Sequence, residues 1–303
     1  MKKIFVVVLH YKEKQWTDRC LRSLQKAQTK GFSLEVIVVD NHSPEPMANF
    51  SKKYPGFSLI KNKKNQGFAG GNNVGLRQAL KKGADYLMLL NNDTYLDPAM
   101  IGQLFKAGEA NPKIGLLGSK IYFAPGYEYH HDRYLKSERG KVIWYAGGEI
   151  DWPNVLTQHR GVDEIDQGQY DKKETTDYIS GCCLFIKKEV LAKIGLLDEK
   201  YFAYYEDADF SVRAKKAGFE VVFVPQAKMW HFNAGSSQVG GSLHDYYVTR
   251  NRLLFGWRYA PLRAKLALLR WGVSRLFIGR PWQKIAFRDF IIGRFGQGSY
   301  PNQ

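Results

Sequence analysis

The feature that most constrains the fold is the alternation of short apolar runs with helical patterns near the start of the chain. The runs predict four strands and the segments between them predict two helices: strands at residues 4–9, 34–39, 57–60 and 86–90, and helices at residues 18–27 and 73–80. The runs are apolar almost throughout, which is typical of strands covered on both faces by crossover helices. We therefore expect an α/β fold with a mainly parallel sheet flanked by helices.

The pattern is interrupted once and then returns. Residues 122–176 mix Tyr, His, Gly and acidic residues in short irregular runs, which predicts an insertion on the substrate side of a site. Four regular elements follow it: a strand at residues 178–186, a helix at 188–194 ended by Gly195, a helix at 206–217 ended by Gly218, and a strand at 221–224 stopped by Pro225. From residue 243 the sequence predicts basic amphipathic helices. We expect a catalytic domain at residues 1–245 and a helical extension at residues 246–303.

The positive charge is concentrated in this predicted extension. The 303-residue chain has a net charge of +16, and residues 246–303 hold eleven Lys and Arg residues against the single acid Asp289. Trp257, Trp271 and Trp282 lie among them. Such a segment fits nucleic acid, an anionic membrane face, a solvated basic surface or an oligomer interface between helix pairs.

The cysteine content and the hydropathy of the chain indicate in which cellular compartment we expect the protein. Cys20, Cys182 and Cys183 offer no disulfide framework, which favours buried thiols in a reducing cytosol. The apolar run at residues 4–9 ends too early for a signal peptide. Arg270 and Arg275 interrupt the best candidate for the roughly 18 apolar residues of a membrane span. We expect a cytoplasmic protein that has no transmembrane helix, with peripheral membrane binding left open.

Three carboxylates, Glu206, Asp207 and Asp209, lie in one turn at the start of a predicted helix. Negative charge is stabilised at a helix N-terminus, and Asp209 has an i,i+4 partner in Arg213, so Asp209 has a structural explanation. That explanation fits Asp207 less well, because the aromatic residues 201–205 would partly desolvate it and raise its pKa toward that of a general base.

Polar residues also follow two of the predicted strands. Asp40 ends one strand, where a carboxylate can bind a ribose or a base, although a turn after a strand uses the same residue types. Asn91, Asn92 and Asp93 end another and offer oxygen ligands for Mg²⁺ or Mn²⁺. His231, which follows the last predicted strand, would bias the choice toward Mn²⁺, although a single His beside Trp230 is more often packed in a core.

A glycine-rich segment, residues 65–73, precedes a predicted helix. Its backbone can approach a ligand closely, and the first N–H groups of the helix can face phosphate or sugar oxygens. The spacing of the glycines matches neither the dinucleotide-binding fingerprint nor the P-loop, which argues against a dehydrogenase and a P-loop NTPase. A flexible loop capped by Asn72 is the structural alternative.

Taken in order, these segments resemble the inverting family 2 glycosyltransferases with the GT-A fold, most closely the bacterial rhamnosyl- and galactofuranosyltransferase branch. The resemblance covers residues 4–255 and rests on six segments: residues 39–41, 65–73, 90–93, 181–183, 206–209 and 230–231. Each segment is weak alone, and the ordered set is specific.

The resemblance implies a role for each matching residue. Asp207 would be the catalytic base, with Glu206 as its neighbouring candidate, and Asp93 and His231 would hold Mn²⁺ or Mg²⁺. The nucleotide-sugar donor, carried by dTDP or UDP, would contact residues at the strand ends and the glycine-rich segment: Asp40, His10, Asn65, Gly67, Gly70, Asn73 and Asn92. Asn91 stands at the first position of the family's D-x-D motif, which leaves one metal ligand neutral.

These roles predict a direct displacement at the anomeric carbon. Asp207 takes the proton of an acceptor hydroxyl on a glycan or lipid-linked glycan, while the metal neutralises the departing diphosphate. Two other classes compete with this hypothesis: a basic nucleic-acid-binding protein, which leaves residues 206–209 unexplained, and a sugar-binding module without turnover.

Overall fold

The structure is a computed structural model that describes residues 1–233 and 240–301. Its helices are α1 Lys14–Leu24, α2 Phe50–Lys53, α3 Gly67–Lys81, α4 Met100–Glu109, α5 Lys188–Ile194, α6 Glu206–Lys216, α7 Ser242–Tyr259, α8 Leu262–Ile278 and α9 Pro281–Ile291. Its strands are β1 Lys2–His10, β2 Phe32–Asp40, β3 Ser58–Lys61, β4 Tyr86–Asn91, β5 Thr94–Leu96, β6 Ile114–Phe123, β7 Ile143–Tyr145, β8 Gly148–Asp151, β9 Leu156–His159, β10 Glu174–Thr175, β11 Cys183–Lys187 and β12 Glu220–His231.

The main sheet is mixed. Its strand order is β10-β12-β6-β11-β4-β1-β2-β3, with β5 added to β12 and β7 added to β6. The strands β4, β1, β2 and β3 run parallel, as predicted for the first part of the chain. β11 then enters antiparallel between β4 and β6, and β12 pairs parallel with β6. A separate hairpin joins β8 to β9.

Both faces of the sheet are covered, which explains why its central strands β1, β2 and β4 are apolar almost throughout. Ile4, Val6 and Val8 pack toward the face that carries α1 and α4. Phe5 and Val7 pack toward the face that carries α3, α5 and α6. Successive residues of a strand point to opposite faces, so a strand between two helical layers needs apolar side chains throughout.

Several predicted boundaries were wrong, among them those of α1, which spans Lys14–Leu24 and not residues 18–27. β12 does not stop at Pro225 but continues to His231, and the register shifts between Val224 and Lys228, where a residue without an N–H is tolerated. The strand expected from residue 178 starts at Cys183, because a turn closed by the Cys183 N–H and the Ser180 carbonyl precedes it. α3 starts at Gly67, six residues before the predicted start.

The predicted insertion builds the side of the sheet next to β6. It supplies β7, the β8–β9 hairpin and the edge strand β10. Lys120 of β6 is fully buried and pairs with Asp166 at 2.9 Å and with Asp171 at 2.7 Å, both from the insertion. The insertion is therefore fastened to the sheet by a buried ammonium group.

The C-terminal residues form the three helices α7, α8 and α9, which pack on one another. α7 starts at Ser242, so the predicted boundary between residues 245 and 246 falls inside it. Arg250 and Asn251 of this helix are fully buried. Among the helices described, none is sufficiently long and apolar to cross a membrane.

Candidate functional site

The carboxyl ends of β1, β2 and β4 meet at one edge of the sheet. In the parallel ladder His10 is the partner of Asp40, and Leu9 is the partner of Asn91. Open α/β sheets bind ligands at this edge. The fold thus brings together strand-end residues that the sequence singled out, and their role in donor binding stays a prediction.

A buried chain of hydrogen bonds links His10 to Asn92. The carbonyl oxygen of Glu45 lies 2.9 Å from His10 Nε2 and can only accept, so Nε2 carries the proton. In the neutral ring Nδ1 is then the acceptor of a hydrogen bond from the Thr17 hydroxyl at 2.8 Å, and that hydroxyl accepts from Asn92 Nδ2 at 2.9 Å. These bonds fix the tautomer of His10 and connect β1, α1 and the end of β4.

The end of β2 is held by turn hydrogen bonds. Asp40 is buried, and its Oδ1 accepts from the Ser43 N–H at 2.8 Å. The next residue, Asn41, donates from Nδ2 to Asn65 Oδ1 at 2.8 Å and accepts at Oδ1 from Asn62 at 2.9 Å. Asn65 therefore joins β2 to the start of α3, a contact that the sequence did not suggest.

The first turn of α3 corrects one expectation for the glycine-rich segment. The N–H groups of Phe68 and Ala69 donate to the carbonyl oxygen of Phe202, at 2.6 and 3.1 Å, so these two do not face a phosphate. Gly67 has φ +70° and lies against Phe202, where a Cβ atom would be 2.5 Å from the ring. Gly70 faces Gln66 at a similarly close approach. In this arrangement the glycines serve close packing.

The side chain of Asn73 is also occupied by hydrogen bonds within the protein. Its Nδ2 donates to the Leu197 carbonyl and to Glu199 Oε1, both at 2.9 Å, and its Oδ1 accepts from the Leu197 N–H at 3.1 Å. The side chain is buried. These contacts give Asn73 a structural task, holding the segment after α5 onto α3.

Asp93 and His231 come together as predicted, although they are 138 positions apart in the chain. Asp93 Oδ2 lies 3.1 Å from His231 Nε2. The extra length of β12 brings them together, because His231 is paired with Thr94, the residue after Asp93. Trp144 of β7 packs edge-on against the imidazole, with ring centroids 4.6 Å apart, and orients it.

The geometry of this pair fits a shared cation. In an octahedral site with ligand bonds of about 2.1 Å, two adjacent ligand atoms lie about 3 Å apart, and the observed separation is 3.1 Å. His231 Nδ1 is buried and has no hydrogen-bond partner among the described residues. Within residues 1–233 and 240–301, no group of three or more His, Cys, Asp or Glu side chains is arranged for a metal. Further ligands would have to be supplied by diphosphate oxygens or water.

Asp207 is held by two backbone N–H groups. Its Oδ2 accepts from Gly181 at 2.9 Å and its Oδ1 from Ala208 at 2.8 Å. Burial raises the pKa of Asp207, and these two hydrogen bonds oppose the rise because they favour the ionised form. An oriented carboxylate with a raised pKa suits proton abstraction from a hydroxyl.

Glu206 is in a more extreme environment. Its side chain is buried, and Oε2 has no hydrogen-bond partner among the described residues. Burial first, and then the nearby charge of Asp207, raise the pKa of Glu206 well above its ordinary value. The two adjacent carboxyl groups therefore differ: the pKa of Glu206 is raised well above its ordinary value, whereas backbone N–H groups oppose the rise in the pKa of Asp207.

Asp209 anchors the helix that carries both groups. The predicted i,i+4 pair with Arg213 is confirmed at 2.7 Å. The other oxygen of this fully buried carboxylate accepts from Tyr259 at 2.7 Å and from Arg258 at 3.1 Å. Both of these residues belong to α7, and the only sign of the contact in the sequence is an Arg-Tyr pair in a basic helix.

One turn connects the Asp93–His231 pair to Asp207. The carbonyl oxygen of Cys182 accepts from the N–H of Asn91 at 3.0 Å, two residues before Asp93. The preceding residue, Gly181, donates to Asp207. A Cβ atom on Gly181 would lie 3.0 Å from the Phe68 ring and 3.7 Å from Asp207. The Gly181–Cys182 turn therefore holds the end of β4, the start of α3 and the start of α6 in one arrangement.

Comparison with known proteins gives the chain a family. The family model described as "Glycosyl transferase family 2" matches residues 5–195. An N-acetylglucosaminyl-diphospho-decaprenol L-rhamnosyltransferase of Mycobacterium tuberculosis is 28% identical over 85% of this chain and 87% of its own length. The dTDP-rhamnosyl transferase RfbF of Shigella flexneri is 23% identical over 72% of this chain and 69% of its own length. The galactofuranosyltransferase GlfT2 of Mycobacterium tuberculosis is 21% identical over 64% of this chain, which spans 31% of that protein.

Solved structures confirm the predicted fold class. The crystal structure of GalNAc-T7 with UDP, GalNAc and Mn²⁺ superposes with a TM-score of 0.60 at 16% identity, over 76% of this chain and 44% of that one. At this identity the likeness concerns the fold, a GT-A sheet flanked by helices.

Proposed function

The chain belongs to glycosyltransferase family 2, and on that premise we propose that it moves a rhamnose- or galactofuranose-type sugar from a dTDP- or UDP-linked donor to a hydroxyl of a glycan or lipid-linked glycan. The transfer inverts the anomeric carbon, and it serves cell-surface polysaccharide synthesis. The activities of the rhamnosyl- and galactofuranosyltransferase relatives support this choice of sugar.

The observation that carries the proposal is the Gly181–Cys182 turn. It binds the backbone of Asn91 on one side and the carboxylate of Asp207 on the other. A base and a diphosphate-binding pair on opposite sides of one turn are the two groups that a direct displacement needs.

Asp207 accepts the proton of the acceptor hydroxyl, and the hydroxyl oxygen attacks the anomeric carbon from the face opposite the diphosphate. One bond forms to the acceptor oxygen and one breaks to the diphosphate oxygen, so the configuration inverts without a covalent enzyme intermediate. Burial and the charge of Asp207 raise the pKa of Glu206, which disfavours a second negative charge next to the base. Asp93 and His231 would hold Mn²⁺ or Mg²⁺, which neutralises charge on the departing diphosphate when bound.

A lipid-linked acceptor would place the enzyme at the cytoplasmic face of a membrane, and α8 offers a suitable surface. Its solvent-facing side carries six exposed apolar residues: Leu262, Leu266, Val273, Leu276, Phe277 and Ile278. Arg263 and Arg270 are exposed among them. Apolar side chains with interleaved arginines suit shallow burial in an anionic leaflet. Self-association through the same face is the competing possibility.

A thermal-shift panel tests the proposal. The protein is mixed with dTDP-rhamnose, UDP-galactofuranose, UDP-glucose and GDP-mannose, each with Mn²⁺, Mg²⁺ or EDTA, because a ligand of the native state raises its apparent stability. We expect one dTDP- or UDP-sugar to raise Tm in the presence of a metal, with slow release of the nucleoside diphosphate. Binding without turnover even with acceptor glycans would identify a sugar-binding module. Salt-dependent retention on DNA without sugar binding would identify a nucleic-acid-binding protein.

Single and double substitutions test the shared cation. Asp93→Ala and His231→Ala should each weaken metal-dependent donor binding, and the double variant should lose little more than either one. Asn91→Asp, which restores a carboxylate at the neighbouring position, should lower the metal concentration needed. Additive losses, or full activity in EDTA, would contradict the assignment.

A further inference from the structure

The segment that leads into the base has an unusual backbone conformation. Phe202, Tyr204 and Tyr205 have φ of +64°, +68° and +70°, and Tyr205 immediately precedes Glu206. Residues with a Cβ atom seldom adopt this left-handed region, and they persist in it where surrounding contacts impose it. We call residues 200–205 the base loop.

The contacts that impose this conformation come from α7. Asn251 Nδ2 donates to the carbonyl oxygens of Tyr201, Ala203 and Tyr204 at 2.7, 2.7 and 2.9 Å. The nitrogen has two hydrogens, so one of them is shared between two carbonyls. Asn251 is fully buried, and its amide reaches three of the four carbonyls of residues 201–204.

Arg250 completes the clamp. Its Nη2 donates to the carbonyl oxygens of Lys200 at 3.2 Å and Tyr201 at 3.1 Å. Its Nε and Nη2 also donate to Asn251 Oδ1, at 3.1 and 3.0 Å, which turns the amide nitrogen toward the base loop. Burying the Arg250 guanidinium carries a large desolvation cost. Because the buried group donates to backbone carbonyls of the base loop, we infer that the position of this loop matters for function.

The base loop contacts the start of α3 and leads directly into α6, the helix that carries Asp207. The remaining carbonyl of residues 201–204, that of Phe202, accepts from Phe68 and Ala69 at the start of α3. The Phe202 ring stacks on Tyr247 of α7, with centroids 5.0 Å apart and planes 15° from parallel. At its other end the loop continues directly into Asp207 through Tyr205 and Glu206.

We propose that Arg250 and Asn251 are positioning residues of the transfer reaction: by clamping the base loop they set Asp207 against the acceptor hydroxyl and hold the first turn of α3 beside it. This inference rests on the proposed role of Asp207 as the base. It makes α7 part of the catalytic unit, although its sequence groups it with the basic extension.

Hydrogen exchange tests the clamp without any substrate. Asn251→Ala in the full-length protein should speed the exchange of the Phe68 and Ala69 amides, because their acceptor sits in the released loop. The matched control is Leu253→Ala, which removes a buried side chain two residues away on the same helix. This side chain belongs to the apolar cluster that includes Tyr201 and Tyr205, but it has no polar atom that could hold the carbonyl groups of the base loop. The control should leave those two amides protected. Equal protection in the two variants would overturn the proposal.

A double-mutant cycle tests the link to chemistry, with release of nucleoside diphosphate from the donor selected by the thermal-shift panel as the readout. Asn251→Ala should lower kcat at least tenfold in the wild-type background and change it little in Asp207→Asn, because a misplaced base cannot matter once the base is absent. Leu253→Ala should have the same small effect in both backgrounds. Additive losses for Asn251→Ala would overturn the positioning role.

The outcomes separate the clamp from the proposed function. If Asp207→Asn retains full turnover, the base assignment fails. If Asp207→Asn loses turnover but the effect of Asn251→Ala is additive with it, only the clamp is refuted. If Asn251→Ala does not fold, Asn251→Asp serves in its place, since it keeps the side-chain volume and the acceptor for Arg250 while removing the donors.

Discussion

At the scale of single residues, two adjacent carboxyl groups have opposite tasks. Asp207 receives two backbone N–H groups, whereas Glu206 Oε2 has no partner among the described residues. We expect Asp207→Asn to lower kcat by a factor on the order of 10²–10⁴, the usual contribution of a positioned base, with donor affinity nearly unchanged.

Glu206→Gln is the matched control for this prediction. Because burial and the charge of Asp207 raise the pKa of Glu206 and so favour its protonated form, the amide imitates that form, and most of kcat should survive. Steady-state rates and donor titrations of both variants make the comparison. An Asn variant at position 207 that kept at least half of the wild-type rate would move the role of base to Glu206.

The same carboxyl group predicts a pH dependence of stability. A group whose pKa is raised on folding contributes stability that is complete below its unfolded value, about 4.3 for Glu, and is lost as the pH rises through the folded value. The Tm of Glu206→Gln relative to the wild type should therefore increase from acid to alkaline pH. Thermal denaturation of the two proteins in parallel buffers measures the difference. A constant difference would show that Glu206 reaches solvent.

At the scale of elements, α3 shows how a glycine can serve packing. A Cβ atom on Gly75 would collide with Val7 Cγ1 and lie 3.2 Å from Val39 Cγ2, both in fully buried strand positions. Gly75→Ala should therefore cost about 1–3 kcal/mol of unfolding free energy, the usual range for an overpacked core. Urea denaturation measures it.

Gly102 in α4 provides the opposite case for the same substitution. A Cβ atom added to Gly102 would have no heavy atom of another element within 4 Å, and the residue lies inside a helix. Gly102→Ala should be neutral or stabilising by up to about 1 kcal/mol, because alanine is the better helix former. Similar effects at the two positions would mean that α3 can move away from the sheet.

Elements with a strong period were predictable from the sequence, and boundaries set by tertiary contacts were not. The runs at β1, β2 and β4 needed only local pattern, since both faces of these strands are buried. The start of α3 was missed because the amides of Phe68 and Ala69 in its first turn find their acceptor at Phe202, in a distant part of the chain. The passage of β12 through Pro225 was missed because a register shift, invisible in the sequence, absorbs the proline.

In the candidate site too, features set by local sequence pattern were predictable, and features set by tertiary contacts were not. Residue types at strand ends predicted Asp93 and His231 as neighbours, and the structure places them 3.1 Å apart. The contribution of α7 was not predictable, because Arg250 and Asn251 resemble the other polar residues of a basic helix until their burial is known.

At the scale of the whole molecule, the charge of the extension is smaller at its surface than in its sequence. Arg258, Arg280 and Arg288 pair with the carboxylates of Asp209, Asp245 and Asp289. Arg250 is buried as well. Exposed positive charge remains at residues such as Arg263 and Arg270 on α8.

We expect full-length protein to float with anionic liposomes at low salt and to detach as salt rises, because each basic side chain near the surface contributes roughly 1 kcal/mol. Leu266→Glu with Phe277→Glu should abolish flotation, whereas Leu135→Glu, an equally exposed apolar position outside the extension, should not. Deleting residues 246–303 is unsuitable here, since it also removes Asn251 and Arg258. A double variant that still floats but elutes as a smaller species would assign α8 to self-association.

The buried cysteines give the molecule a built-in reporter. The Cys20 thiol donates to the Asn91 carbonyl at 3.7 Å, and the Cys182 carbonyl accepts from the Asn91 N–H, so two of the three cysteines flank the end of β4. Burial raises the pKa of Cys20 to about 12, and the folded protein should be inert to thiol reagents. The thiols can be labelled only when the catalytic centre opens, so the labelling rate reports how often it opens. A donor that slows the labelling does so by keeping the centre closed, so labelling measures donor binding without an assay of the product.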